Sequence, residues 1–274
     1  MADRHYKGYP DPSHVISVDE ASKLVGRPEV VFVDTRNYWK YAKGHIPGAV
    51  DLELFAFHWV DTSEDGIEAF AKQMAGLFGS LGIDRKKRVI FYQNNSGYDA
   101  ARGVWLLDLL GNPNGILLDG GLNLWRRKGK AISTEDAEYR RAEFSPRLND
   151  AASCPLAELE GHVERKDATV LDARNSGEHS GKYRRALKSG HVPDSMNIEW
   201  SRALRRDGTL KNAAQLTQVY GAIPRDTKVV TYCQSGYRAA HTWLVLGLLG
   251  YKDVKSYLGS WYEWGNAERT SVVK

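Results

Sequence analysis

Val229-Val-Thr-Tyr-Cys-Gln-Ser-Gly-Tyr-Arg-Ala-Ala-His-Thr-Trp-Leu-Val-Leu-Gly-Leu-Leu-Gly250 sets a β-branched run, a cysteine and a long apolar segment in immediate succession. Its β-branched run Val229, Val230 and Thr231 predicts a short buried strand, and the apolar positions from Ala239 to Leu249 predict a largely buried helix. A cysteine ends the strand and the helix begins almost at once. Cys233 therefore faces a helix N-terminus, where backbone N–H groups lack intrahelical partners and the helix dipole adds partial positive charge; both favour thiolate over thiol. Arg238 adds a full charge. A lone cysteine after an apolar strand is ordinarily a small core residue. Here Gln234, Ser235, Gly236, Tyr237 and Arg238 follow, polar or permissive types suited to a tight loop. Gly236 can take φ > 0, which lets successive N–H groups turn inward as an anion-binding nest around the sulfur. Cys233 is thus read as a nucleophile.

The same pieces occur twice. Val89 to Tyr92, Gln93-Asn-Asn-Ser-Gly-Tyr-Asp-Ala-Ala101, Trp105 to Gly111 and Asp119-Gly-Gly-Leu-Asn-Leu-Trp125 run in the order of the Cys233 strand, Cys233-Gln-Ser-Gly-Tyr-Arg-Ala-Ala240, Trp243 to Gly250 and Leu258-Gly-Ser-Trp-Tyr-Glu-Trp264. Ala101 and Trp125 precede Ala240 and Trp264 by the same 139 positions. Upstream, Val31-Phe-Val-Asp-Thr-Arg36 and Gly44-His-Ile-Pro-Gly-Ala-Val50 match Val170-Leu-Asp-Ala-Arg174 and Gly190-His-Val-Pro-Asp-Ser-Met196. A repeat this long means two whole globular units rather than a solenoid. The first-half loop is one residue longer, has Gln93 or Asn94 in place of the cysteine, and puts Asp99 where the second half has Arg238. An amide is no nucleophile at neutral pH, and an aspartate repels an anionic substrate. The first half is expected to be catalytically silent, covering the other half's site and contributing shape more than reacting groups.

The tandem arrangement, the two Asp-x-Arg strand ends, the Gly-His-Ile/Val-Pro turns, the six-residue loop from Cys233 and the closing Gly259-Ser-Trp-Tyr-Glu-Trp-Gly-Asn266 resemble the two-domain rhodanese family, from about Ser17 to Asn266. That family comprises thiosulfate and 3-mercaptopyruvate sulfurtransferases. The resemblance implies an α/β fold of tandem rhodanese-like domains, each a mainly parallel sheet flanked by helices, with one active loop in the C-terminal domain. Independently, strand-like runs at 29–34, 88–92, 169–172 and 228–232 alternate with helical segments at 66–79, 99–111, 213–221 and 238–250, as βαβ units do. Ligands of such sheets collect at the carboxyl ends of strands, where Cys233 lies.

The 274 residues, 42% hydrophobic and 26% charged, suffice for two packed cores. A non-catalytic domain over 1–133, a linker over 134–154 and a catalytic domain over 155–274 are expected, because Thr134 to Cys154 is charged and polar without periodicity. Leu156 to Arg165 then predicts a helix capped by Ser153 ahead of Pro155. Only two cysteines occur, and nothing suggests that Cys154 pairs with Cys233, so a reducing compartment is the default. The N-terminus lacks an apolar targeting core, and no run approaches a membrane span; a cytoplasmic protein without membrane contact is expected. A net charge of +4, with bases scattered among acids, falls short of a nucleic-acid footprint. No metal or cofactor is called for. An insert with Lys182, Arg184, Arg185 and Lys188, which the first half lacks, reads either as a solvated loop or as a rim guiding an anionic donor inward.

The expected chemistry is double displacement: Cys233 takes the outer sulfur of a small anionic donor as a persulfide and yields it to a thiophilic acceptor, whether cyanide, a dithiol or a protein thiol. Loop N–H groups from Gln234 to Arg238 would stabilise the negative sulfur, with Arg238 adding charge and Ser235 either a hydroxyl bond or loop shape. Arg174 enters as a donor contact or, with Asp172, as an ion-pair brace. His45 and His191, in matched turns, read as scaffolding, His241 as packing, and Trp261 and Trp264 as seals of the core or the domain interface. The Cys-Gln-Ser-Gly-Tyr-Arg loop differs from the Cys-Arg-Lys-Gly-Val-Thr of vertebrate thiosulfate enzymes and the Cys-Gly-Ser-Gly-Val-Thr of mercaptopyruvate enzymes. Its terminal arginine, with Glu178 in place of a basic residue, favours thiosulfate. 3-Mercaptopyruvate transfer and a partner-dependent sulfur carrier are the alternatives, and a phosphatase built on a related cysteine loop is a further one.

Overall fold

In the computed structural model, which describes residues 5–274, strands and helices alternate in two passes. The first runs β1 (Val15–Ile16), α1 (Val18–Ser22), β2 (Val30–Asp34), α2 (Tyr38–Ala42), β3 (Val50–Asp51), α3 (Glu64–Ser80), β4 (Arg88–Tyr92), α4 (Tyr98–Leu109), β5 (Gly115–Leu118) and α5 (Gly121–Arg127). The second runs α6 (Leu156–Arg165), β6 (Ala168–Asp172), α7 (Ser176–His179), β7 (Met196–Asn197), α8 (Ala213–Tyr220), β8 (Lys228–Tyr232), α9 (Tyr237–Leu248), β9 (Val254–Ser256) and α10 (Ser260–Trp264). They form two sheets, β1-β5-β4-β2-β3 and β7-β6-β8-β9, in which all paired strands are parallel. Helices cover such sheets on both faces, which is why Val89–Tyr92 and Val229–Tyr232 are buried throughout.

Register repeats with the sequence. β2 pairs with β4 from Val30↔Arg88 to Asp34↔Tyr92, and β6 with β8 from Ala168↔Lys228 to Asp172↔Tyr232. Each half thereby sets a strand-end aspartate beside the tyrosine that ends the next strand. In the second half that tyrosine is followed at once by Cys233.

α6 spans the expected residues, but its cap does not form. Pro155 stands at the N-cap without a side-chain bond, because Ser153 is held in a parallel bridge to Ser256 and its hydroxyl has no partner. Residues 134–154 carry no helix and, apart from that bridge, no strand. They lie along the first half: the Ala142 N–H donates to the Gly79 carbonyl at 2.9 Å, and Phe144 is buried with its ring 6.1 Å from that of Phe78.

The two sheets share a core between them, and each has a smaller one of its own. A single apolar cluster runs from Val33, Phe70, Phe91 and Trp105 to Leu171, Leu216, Val229 and Leu246, with α4 packed on α9 at its centre. The N-terminal segment crosses over as well, Lys7 reaching the Leu210 carbonyl and Tyr9 the Lys211 carbonyl, each at 2.5 Å. No described helix is long and apolar enough to cross a membrane.

Candidate active site

Cys233 sits between β8 and α9, 1% exposed, and the loop turns at Gly236, whose φ of 81° is a left-handed conformation suited to glycine. The loop is gripped by its carbonyls. Trp261 N–H donates to the Cys233 carbonyl and Tyr262 N–H to that of Gln234, each at 2.9 Å, while the Gln234 side chain donates to the Arg185 carbonyl at 3.1 Å. With the carbonyls drawn toward α10, no hydrogen bond among the described residues engages the N–H groups of Gln234, Ser235, Gly236, Tyr237 or Arg238. Five successive donors are thus left for an anion on the sulfur.

Ser260 completes the grip, and sequence reasoning missed it. Its hydroxyl accepts the Cys233 N–H at 3.1 Å and donates to the Tyr257 carbonyl at 2.8 Å, from a backbone at φ 51°. That conformation strains any residue with a Cβ. The signal was available in the repeat: the matched first-half position is Gly121, at φ 54°, so a serine has replaced a glycine where only glycine is unstrained.

Charge at the rim of the loop centres on one carboxylate. Arg238 Nη1 and Nη2 reach the two Glu178 oxygens at 2.7 and 2.9 Å, and Glu178 is 1% exposed and fixed by a capping box with Asn175 at the start of α7. Burial works against both charges, but the Arg238 bonds hold the Glu178 carboxyl below the usual range, and Glu178 and Cys233 hold the Arg238 guanidinium above it. Arg185 leans on the same carboxylate at 3.6 Å and is 60% exposed. Arg184 instead folds the insert on itself, binding the carbonyls of Ala186 and Leu187, and Lys188 ties it to the C-terminal segment through the carbonyls of Ala267, Glu268 and Thr270.

The other expected residues divide. Tyr237 is buried and its hydroxyl donates to the first-half carbonyls of Leu54 at 2.7 Å and Phe57 at 3.1 Å, so it pins the loop across the domain boundary. Ser235 is half-buried on the loop. Arg174 is committed elsewhere: its Nε and Nη2 are bound to Asp172 and to the Gly190 carbonyl, and its guanidinium lies 4.4 Å from the Trp261 ring. Despite burial, bonds from His179 and Arg174 keep the Asp172 carboxyl below the usual range. The brace ties β6 to the Gly190 turn, and Tyr232 joins it by donating to Asp172 at 2.8 Å. His191 Nδ1 donates to the His179 carbonyl at 2.9 Å with the two rings stacked, and Trp261 and Trp264 lie in the second half's own core.

The first half builds the same cradle and fills it. Leu122 and Asn123 N–H groups donate to the Gln93 and Asn94 carbonyls as Trp261 and Tyr262 do to those of Cys233 and Gln234, which makes Gln93 the counterpart of the cysteine. The Gln93 side-chain oxygen accepts the N–H groups of Asp99 at 2.9 Å and Ala100 at 3.4 Å, in the first turn of α4. An uncharged oxygen of the chain itself takes the place of an anion. Beside it, burial and the nearby Glu53 push the Asp99 carboxyl up to about 7.

Comparison with known proteins gives one family. The model of the rhodanese-like domain matches residues 17–128 and again 155–267. A thiosulfate sulfurtransferase of Pseudomonas aeruginosa is 34% identical over 260 residues, 94% of this chain and 96% of that protein. The sulfur carrier protein TtuD of Thermus thermophilus is 31% identical, covering 97% and 99%. Among solved structures, the 3-mercaptopyruvate sulfotransferase SseA of Escherichia coli superposes with a TM-score of 0.77 at 27% identity, over 92% of this chain and 100% of that one.

Proposed function

The chain belongs to the rhodanese-like domain family, and we propose that it is a thiosulfate sulfurtransferase working through a persulfide on Cys233. The observation that carries the mechanism is the buried thiol at the end of β8 with five unengaged N–H groups after it. Cys233 thiolate attacks the outer sulfur of thiosulfate; the S–S bond of the donor breaks as the new one forms, and its electron pair leaves with sulfite. The persulfide keeps one negative charge on the terminal sulfur, where preorganised N–H dipoles from Gln234 to Arg238 favour it. Cyanide or a thiolate then attacks that sulfur, leaving as thiocyanate or a new persulfide and restoring the Cys233 thiolate.

Two arginines around one carboxylate give the rim a net positive charge. In this reading Arg185, the exposed member, draws the dianion in, while Arg238 holds Glu178 and shapes the loop. A phosphatase reaction is disfavoured, since the Arg238 fork that would clasp a phosphate is occupied by Glu178. The non-catalytic domain is assigned to 1–133, the linker to 134–154 and the catalytic domain to 155–274, and the unpaired thiols of Cys154 and Cys233 support a cytoplasmic setting.

The test is steady-state sulfur transfer to cyanide from thiosulfate and from 3-mercaptopyruvate, with intact mass of the protein after each donor. Preference for thiosulfate and a gain of about 32 Da on Cys233, the covalent intermediate of a nucleophilic mechanism, are expected. The likeness to SseA makes preference for mercaptopyruvate the second reading; it keeps the mechanism and changes the leaving group. The likeness to TtuD supports a third, a sulfur carrier, in which the adduct forms but small acceptors do not turn over.

A further inference from the structure

α4 and α9 face one another, and the repeat places Arg102 on α4 where α9 carries His241, 139 positions later. Each reaches the opposite half's loop. His241 Nε2 lies 3.0 Å from the Ser96 carbonyl of the silent loop, and Arg102 Nη1 donates to the Gly236 carbonyl of the cysteine loop at 3.3 Å. The two differ in charge: burial pushes the His241 imidazole down to about 4, so a neutral ring serves the silent loop while a guanidinium serves the active one.

Arg102 is 1% exposed, no carboxylate pairs with it among the described residues, and its Nε and Nη2 have no hydrogen-bond partner. Its guanidinium lies 4.4 Å from the Trp105 ring, 5.2 Å from that of Tyr237 and 5.9 Å from that of Phe70. An unpaired buried cation is costly, and an apolar side chain of similar length would remove the cost. The loop's other arginines are neutralised or solvated: Arg238 by Glu178, Arg174 by Asp172, Arg185 at the exposed rim. Yet thiolate and thiosulfate together bring three negative charges to the loop.

We infer that Arg102 is a positioning residue for the Cys233 reaction: from the first half it clamps Gly236 and supplies the uncompensated positive charge under the loop. The inference rests on the sulfurtransferase reading and adds a charge to the expectation that the first half contributes shape more than reacting groups. The ionisable groups that interact with Cys233 are Tyr98, Tyr237, Arg238 and Arg102; Glu178 faces Arg238, Asp99 faces Tyr98 and Tyr237, and His58 faces Arg102. Burial pushes Arg102 down to about 10, partly offset by Tyr237 and Cys233, which leaves it cationic at neutral pH.

The experiment uses the full chain, stripped of bound sulfur with cyanide, and two variants: Arg102→Gln, which keeps a donor and removes the charge, and Arg102→Lys, which keeps the charge. Iodoacetamide alkylation of Cys233 is timed at pH 7 and at about pH 9.5 by peptide mass, beside kcat and KM for thiosulfate. Arg102→Gln should alkylate about tenfold more slowly than wild type at pH 7 and match it at the higher pH, with kcat/KM down in proportion; Arg102→Lys should recover most of the pH 7 rate. Should the Gln variant fold poorly, the Lys variant alone decides: most of the wild-type rate at pH 7 is expected, and a loss of about tenfold overturns the role of charge. An Arg102→Gln protein that alkylates like wild type while melting lower makes Arg102 a structural bolt and sinks the inference. Failure of the parent reading is seen separately, as a wild-type protein that gains no sulfur from thiosulfate.

Discussion

Ser260 bears a backbone conformation that Gly121 bears without penalty, and what the serine adds is a hydroxyl on the Cys233 N–H. Ser260→Ala keeps the strain and loses the hydroxyl, whereas Ser260→Gly loses both. Sulfur transfer should fall about tenfold in each, the value of one well-placed hydrogen bond, and the Gly variant should be more stable than the Ala variant by about 1 kcal/mol, the strain relieved; urea unfolding beside the cyanide assay reads both. Cys233→Ser should abolish transfer with the fold intact. Cys154→Ser should retain it, since Cys154 is buried and burial pushes its thiol up, away from the reactive form. Asp99 gives a pH signature. Its folded pKa of about 7 lies above the ordinary carboxylate value, so the folded state binds the extra proton and its stability falls as pH rises from about 4 toward 7. Asp99→Asn should therefore unfold like wild type near pH 4 and gain a stabilising margin that grows toward pH 7 and is constant above it. A margin that is flat across this range would show that Asp99 titrates normally.

Among the elements, the strand-end brace recurs in both halves: Arg36 binds Asp34 and the Gly44 carbonyl as Arg174 binds Asp172 and that of Gly190. Breaking one leaves a buried carboxylate without its cation, so Arg174→Met should lower stability by about 3–5 kcal/mol, measured by urea unfolding, with loss of activity no larger than the loss of folded protein. The strands and helices themselves were legible, because apolar runs and turn residues are local: 88–92 and 228–232 are strands as expected, and α9 begins at Tyr237, one residue early. The loop from Cys233 to Arg238 was legible for the same reason. What was hidden is pairing across the sequence. Glu178 could be seen as an unusual residue but not as the partner that neutralises Arg238, 60 positions away, and Arg102 is, in sequence, one polar position on an apolar helix with nothing local to single it out. Ser153 looked like a helix cap because its spacing is right, and only the tertiary bridge to Ser256 removed it. Gln93 and Asn94 stayed equivalent until the bonds from Leu122 and Asn123 fixed the register.

Across the whole molecule, the shared core and the cross-boundary bonds of Tyr237, His241 and Arg102 join the halves, which should therefore unfold as one cooperative unit. Calorimetry and tryptophan fluorescence should report a single unfolding transition at one temperature; two separated transitions would show that each sheet melts alone. The filled cradle of the first half has another consequence. The Gln93 oxygen is tied to its nest by a few bonds of its own side chain, and a tethered group competes at millimolar effective concentration or above. A diffusing anion at micromolar level meets that competitor first, and no thiol stands at Gln93 to hold a sulfur, so the protein has two berths and a capacity of one. Loading with rising thiosulfate should level off at a single sulfur per chain, a stoichiometry written into the covalent structure rather than set by affinity.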